Sequence, residues 1–142
     1  STWDMQYEWI LSGNAILVGT KTLDNVWKGF SYIFTYKGKA YYGSACSDPD
    51  HPELSVGHVL TWKIIEWLKG HDYQYYELGW QQYGALPYNI PSKKEMEISF
   101  FKRGFGGFTV PLFRGEKYYS SNYYHQINLQ RINDYTNWLE SN

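Results

Sequence analysis

Cys46 is the only cysteine in the chain, so no internal disulfide can staple the fold, and a reducing, cytoplasmic setting is the simpler expectation. No apolar run approaches the ~18 residues of a membrane span, and no charged-then-apolar leader is visible. We therefore expect neither a membrane span nor a signal peptide. The formal net charge is only −1, without the basic surplus with which proteins grip a phosphate backbone. A tRNA partner draws no support from charge. The four histidines, His51, His58, His71 and His125, are scattered, and Cys46 has no ligand-spaced neighbour, so no metal site is expected. A glycine-rich ATP loop and a Ser-His-Asp order are missing as well. No internal repeat, low-complexity tract or linker divides the sequence.

What is present is an aromatic-rich chain of 142 residues, 43% hydrophobic and 20% aromatic, with 15 tyrosines and 7 tryptophans. That length buries a core without staples, and one domain over residues 1–142 is expected. The composition excludes a disordered chain. Many of the tyrosines should bury the ring and keep the hydroxyl in water.

Trp3, Tyr7, Ile10 and Leu11 recur at helical spacing, and Ser12-Gly13-Asn14 supplies a stop. Strands are predicted over residues 15–20, 27–36 and 39–47, with Lys37-Gly38-Lys39 as a hairpin turn in which glycine takes positive φ. A three-stranded antiparallel meander is the simplest arrangement. Asp48-Pro-Asp-His-Pro-Glu-Leu54 is a loop, because two prolines remove donors and restrict the residues before them. Ser55 is placed to cap a helix whose stripe is Val56, Val59, Leu60, Ile64, Trp67 and Leu68, closed by Gly70. A strand parallel to the third is expected over residues 73–80.

A polar loop follows, then Ser92-Lys93-Lys94-Glu95, which fits a capping box and predicts a helix from Lys93 to Arg103 ending on a left-handed Gly104. Residues 108–113 are expected to return as a last strand, and Tyr124, Ile127, Ile132, Tyr135, Trp138 and Leu139 predict a C-terminal amphipathic helix.

Two segments carry a family resemblance: Tyr75-Tyr76-Glu77-Leu78-Gly79, and Ile98-Ser99-Phe100-Phe101-Lys102-Arg103-Gly104-Phe105-Gly106-Gly107. With the helix around Trp62 to Lys69, they resemble the C-terminal part of the FemAB-like acyltransferases, relatives of the GNAT N-acyltransferase superfamily. The resemblance implies an α/β (α+β) fold with a GNAT-like mixed sheet: an antiparallel meander, then helix, strand, helix, strand, and a C-terminal helix. It covers most of residues 1–119. The family's first strand and most of its first helices would lie before Ser1, so a fragment, a minimal fold or a chain completed by another chain or a second copy is implied.

In GNAT proteins the pyrophosphate of the acyl donor lies on backbone amides at a helix N-terminus. That place corresponds here to Ser55-Val56-Gly57-His58, where Ser55 and Gly57 become candidate donor-binding residues. The usual two-glycine loop is absent, and Asp48, Asp50 and Glu53 would repel a diphosphate. The resemblance accordingly leaves the donor as acyl-CoA or aminoacyl-tRNA. The competing reading makes Ser55 a plain cap and His58 a surface residue.

Transfer to an amine needs a proton acceptor and oxyanion donors. Glu77, His58 and Tyr83 are candidates for proton handling, and Lys102 or Arg103 for neutralising a phosphate or oxyanion. The plainer roles are an ion pair for Glu77 and dipole complementation for the two cations. Trp80, Gln81, Gln82 and Tyr83 suit a sugar or peptide surface by stacking and amide hydrogen bonding, against buried tryptophan and solvated glutamines. The resemblance, taken with these residues, implies two alternative functions. The first is N-acyl transfer, without a covalent enzyme intermediate, to an amine of a cell-envelope precursor or nucleotide-linked sugar. The second is a non-catalytic binding or assembly domain that keeps the fold and not the site.

Overall fold

The computed structural model describes residues 2–51 and 55–141. The chain forms two compact units, residues 1–79 and 80–142.

The first unit opens with α1 (Thr2–Leu11) and the strands β1 (Ala15–Lys21), β2 (Trp27–Tyr36) and β3 (Lys39–Ser47). β1 pairs antiparallel with β2 and β2 with β3. The β2–β3 turn places Lys37 at φ 47° and Gly38 at φ 72°, the two left-handed residues that a tight hairpin requires. Helix α2 (Val56–Gly70) then carries the chain back, and β4 (Tyr75–Glu77) joins the far edge of β3 in parallel, giving the order β1-β2-β3-β4.

One face of this sheet meets α2. Ile33 from β2 and Ile64 from α2, both 0% exposed, centre a core with Ala40 and Leu68, flanked by Ile16, Val18, Tyr42, Tyr73 and Tyr76. The apolar stripe of α2 explains the packing: Val56, Leu60, Ile64 and Leu68 are buried, and completely burying such side chains contributes roughly 1.5–3 kcal/mol each. The N-terminal end of α2 presses on the sheet where a Cβ on Gly29 would come within 2.5 Å of Val56 Cγ1 and 2.7 Å of the Cys46 carbonyl. The other face receives α1: the Tyr32 hydroxyl donates to the Gln6 carbonyl at 3.0 Å, and Trp9 meets Phe34 edge-on with centroids 5.3 Å apart.

Gly43 is the extra residue of a bulge in β3, since Ile33 faces Tyr42 and Tyr32 faces Ser44. A Cβ there would lie 2.7 Å from the Phe34 ring, so a larger residue would force the ring aside.

The second unit contains α3 (Lys93–Arg103) and α4 (Ser121–Ser141). The capping box forms as the sequence predicts: Ser92 Oγ accepts the Glu95 amide, and the Glu95 carboxylate accepts the Ser92 amide at 2.7 Å. This pulls the Glu95 pKa below its ordinary value, the backbone hydrogen bond contributing most.

Three local expectations are corrected. The predicted strand over 73–80 contracts to Tyr75–Glu77, the only residues that find partners on β3. Residues 108–113 form no strand. Pro111 offers no N–H there, and Val110, Leu112 and Phe113 stay 63–97% exposed. The helix–strand–helix–strand order therefore ends at its second helix, before α4. Gly104 sits at φ −61° in the right-handed region; the left-handed residues come later, at Gly106 and Gly107, with φ 79° and 86°.

Candidate functional site

In the first unit the candidate site is the place where β3 and β4 part. Their ladder runs only from Lys39↔Tyr75 to Tyr41↔Glu77. Beyond it β3 continues from Tyr42 to Ser47 past the Gly43 bulge, without β4 beside it. A bulge bends its strand and increases local twist, which is the local reason the neighbours diverge. The α2 N-terminus lies at this same end, because Val56 packs on Gly29 and Gly29 pairs with Ser47.

Ser55, Gly57 and His58 thus share the first turn of α2 at the head of the parting strands, all exposed. Ser55 flanks the helix as expected, yet its side chain makes no capping bond; only its carbonyl is used, accepting the Val59 amide at 3.1 Å. First-turn amides without a side-chain cap are donors aimed outward at the positive end of the helix dipole. Of the three acids expected to repel an anion there, Asp48 is held by Lys28 Nζ at 2.8 Å. The lysine hydrogen bond, helped by the Asp50 amide, lowers its pKa. Asp50 is exposed, and Glu53 lies outside the described residues.

Glu77 closes β4 and is exposed, next to Gly79 at φ 77°. Among the described residues of this unit it forms no ion pair. Behind it, Tyr76 turns inward. Its hydroxyl oxygen is buried with no hydrogen-bond partner, and burial first, then the neighbouring Tyr42, pushes its pKa well above the usual phenol range.

In the second unit α3 clasps residues 80–83. Lys102 Nζ donates to the Trp80 carbonyl at 3.0 Å, Arg103 Nη1 to the Gln82 carbonyl at 3.0 Å, and the Gln82 amide to Ser99 Oγ at 2.8 Å. The Arg103 guanidinium lies 4.8 Å from the centre of the Tyr83 ring, and the Tyr83 hydroxyl is hydrogen-bonded to Thr109 Oγ1. Partial burial lowers the Lys102 pKa. The two cations therefore serve backbone carbonyls here, while the Trp80 and Tyr83 rings remain 55% and 61% exposed. Gln81 is half-buried with an unpartnered Oε1, and Gln82 Oε1 accepts from Asn89 Nδ2 at 2.7 Å.

Sequence reasoning missed Ser99 and Asn89, which fix Gln82. Ser99 gives the one usable signal: a small polar residue inside Ile98-Ser99-Phe100-Phe101 calls for a buried partner. Among the described residues no group of three or more histidines, cysteines and acids could hold a metal ion, and no helix is long and apolar enough to cross a membrane.

A family model described as an acetyltransferase (GNAT) domain matches residues 8–89, more than half of the chain. The chain belongs to the GNAT family. The match takes in the end of α1 from Glu8, the whole sheet and α2, and runs on to Asn89, so the GNAT relationship rests mainly on the unit that holds the parting strands. It stops short of residues 98–107, on which the FemAB-like resemblance chiefly rested. A solved structure of a mutant form of the BH1408 protein from Bacillus halodurans has the same fold at TM-score 0.55 and 12% identity, over 80% of this chain and 73% of its own. No curated protein matches this chain. GNAT domains generally take acyl-CoA as donor. The first turn of α2, which the Ser55 side chain does not cap, the side-chain-free Gly57 and the neutralised Asp48 fit its diphosphate.

Proposed function

We propose that this GNAT domain is an N-acyltransferase of the FemAB-like kind, which moves an acyl or aminoacyl group onto an amine of a cell-envelope precursor or nucleotide-linked sugar. The observation that carries the reading is the parting of β3 from β4 beneath the α2 N-terminus. It leaves one edge of β3 open at one end of the sheet, headed by the first turn of α2.

Each residue has a distinct task. The first turn of α2 at Gly57 holds the donor's phosphates, as helix N-termini do, and the edge of β3 from Gly43 to Ser47, which has no β4 beside it, offers backbone groups to an extended amide-bearing chain. Bound acyl-CoA supplies an activated thioester. Glu77, exposed at the end of β4, would accept the proton that the amine gives up as its nitrogen bonds to the acyl carbon, the carbon–sulfur bond breaking to release CoA as the thiolate that takes a proton in turn, with His58 as the second candidate base. Aminoacyl-tRNA as donor would use the same slot for its aminoacyl ester. In the second unit, taken by itself, Trp80 and Tyr83, left exposed beside the α3 clasp, are proposed as a surface that stacks on a sugar or peptide, with Gln81 and Gln82 as amide partners. Lys102 and Arg103 act in this reading first through that clasp.

The test is ligand-dependent thermal stability against acyl-CoAs, aminoacyl-tRNAs and nucleotide-sugars. A donor binding only the folded chain adds about 2.7 kcal/mol at a hundredfold excess over its dissociation constant. With that donor, Glu77→Gln should bind as the parent does and transfer about 10²–10⁴-fold more slowly. No stabilisation by any donor would discard the transferase.

A second reading, a non-catalytic binding module, has its own support in α1, which buries no residue and leaves Trp3, Tyr7 and Leu11 59–79% exposed. Under it, the donors would fail and the α1 surface alone would be functional.

A further inference from the structure

At the hairpin end of the sheet, away from the α2 N-terminus, the α1 side carries a hollow of about 590 Å³ lined by Trp9, Asn14, Phe34, Thr35, Tyr36 and Tyr41. Strand alternation puts Phe34 and Tyr36 on one face of β2, and the Phe34↔Tyr41 register puts Tyr41 beside them. Trp9 closes the group from α1. The floor is rigid: the Thr35 amide donates to the Asn14 carbonyl at 2.9 Å, and Thr35 Oγ1 to the Gly13 carbonyl at 2.9 Å. The Asn14 side chain is oriented by donating to Ser12 Oγ at 3.0 Å.

A second hollow, of about 290 Å³, shares Asn14, Thr35 and Tyr36 with the first and adds Lys37 and Tyr73. The Lys37 ammonium stands 5.0 Å from the centre of the Tyr36 ring. The left-handed turn at Lys37 and Gly38 sets where that side chain leaves the hairpin.

We propose that these joined hollows bind a planar amphipathic anion, an aromatic carboxylate of about two fused rings. Its rings lie among Trp9, Phe34, Tyr36 and Tyr41, and its carboxylate meets Lys37. Four rings with one amide are the lining expected of a small-molecule site, whose usual volume is ~300–1,000 Å³. The charge selects the ligand's sign, because among the described residues Lys37 is the charged residue of the lining and no acid lines either hollow. A cation would be repelled, and a neutral ring would leave the ammonium to water and the Tyr36 ring. The site is independent of the acyl-donor slot, which lies at the other end of β3.

The experiment is calorimetric and NMR titration of the whole chain with 2-naphthoate and with its neutral isostere, 2-naphthalenemethanol. Saturable one-site binding of 2-naphthoate is expected, about tenfold tighter than the alcohol, as a charge-assisted hydrogen bond allows. Lys37→Asn, whose replacement tolerates the left-handed turn, should abolish that preference and leave the alcohol unchanged. Trp9→Ala should weaken both ligands about tenfold. Equal binding of the two ligands, an unchanged preference in Lys37→Asn, or no saturable binding would overturn the proposal. Because Lys37 lies in an exposed turn, its variant remains informative even if Trp9→Ala unfolds.

Discussion

The Ser99 hydroxyl accepts the backbone N–H of Gln82 at 2.8 Å while donating to the Glu95 carbonyl one turn back at 2.7 Å. Ser99 is 2% exposed, so water cannot take its place. Ser99→Ala strands the Gln82 amide and should cost about 1–3 kcal/mol, read as a lower urea midpoint. An unchanged midpoint would mean that residues 80–83 hold their conformation without α3.

Gly29 couples stability to the proposed donor slot. Any side chain there meets Val56 and the Cys46 carbonyl, and the carbonyl belongs to a paired strand that cannot give way. Gly29→Ala should destabilise the chain by about 1–3 kcal/mol and raise the KM for the acyl donor more than it lowers kcat, because it lifts the α2 N-terminus and leaves Glu77 untouched. Steady-state kinetics separates the two effects.

Acid should release the loop before α4. Arg131 Nη1 and Nη2 lie 2.9 and 3.1 Å from the two Glu116 oxygens, and Tyr118 donates to the same carboxylate. The Arg131 hydrogen bond, followed by that of Tyr118, lowers the Glu116 pKa from 4.5 to about 2. A depressed folded-state pKa gives stability that is complete above the unfolded value and is lost as pH falls through the folded one. The window therefore runs from about pH 4.5 down to about pH 2. Amide exchange in α4 should accelerate across it, and Glu116→Gln should show the faster exchange already at neutral pH.

Tyr76→Phe removes a buried hydroxyl that has no partner. Such a group contributes only its desolvation cost to the folded state. The variant should be as stable as the parent or up to about 1 kcal/mol more so in chemical denaturation. A clear loss would show that the hydroxyl is hydrogen-bonded in solution.

Elements whose causes lie within a few residues were legible in the sequence. Ser92 and Glu95 announce α3, Lys37-Gly38 announces the hairpin, and the stripe from Val56 to Leu68 announces both α2 and the face it buries. The failures occur where the deciding partner is remote. Residues 73–80 have strand character throughout, but the bulge at Gly43, which no local pattern betrays, leaves β3 available to only three of them. Residues 108–113 have the composition of a strand and no ladder to join. In the site, the sequence placed Ser55, Gly57 and His58 on one helical turn and Glu77 at a strand end. It could not show that Lys102 and Arg103 reach carbonyls some twenty residues earlier, since helix-end cations look the same whether they serve a dipole or a backbone.

The three-rung ladder between β3 and β4 also bears on how the chain reaches this state. Each antiparallel pair of the meander closes through a short turn, whereas β4 can register on β3 only after all of α2 has been threaded between them. Loop-closure entropy then makes the meander early and β4 late. With so few rungs β4 should also be the first strand to come away, so the amides of Tyr75, Tyr76 and Glu77 would report sub-global opening before any other part of the sheet.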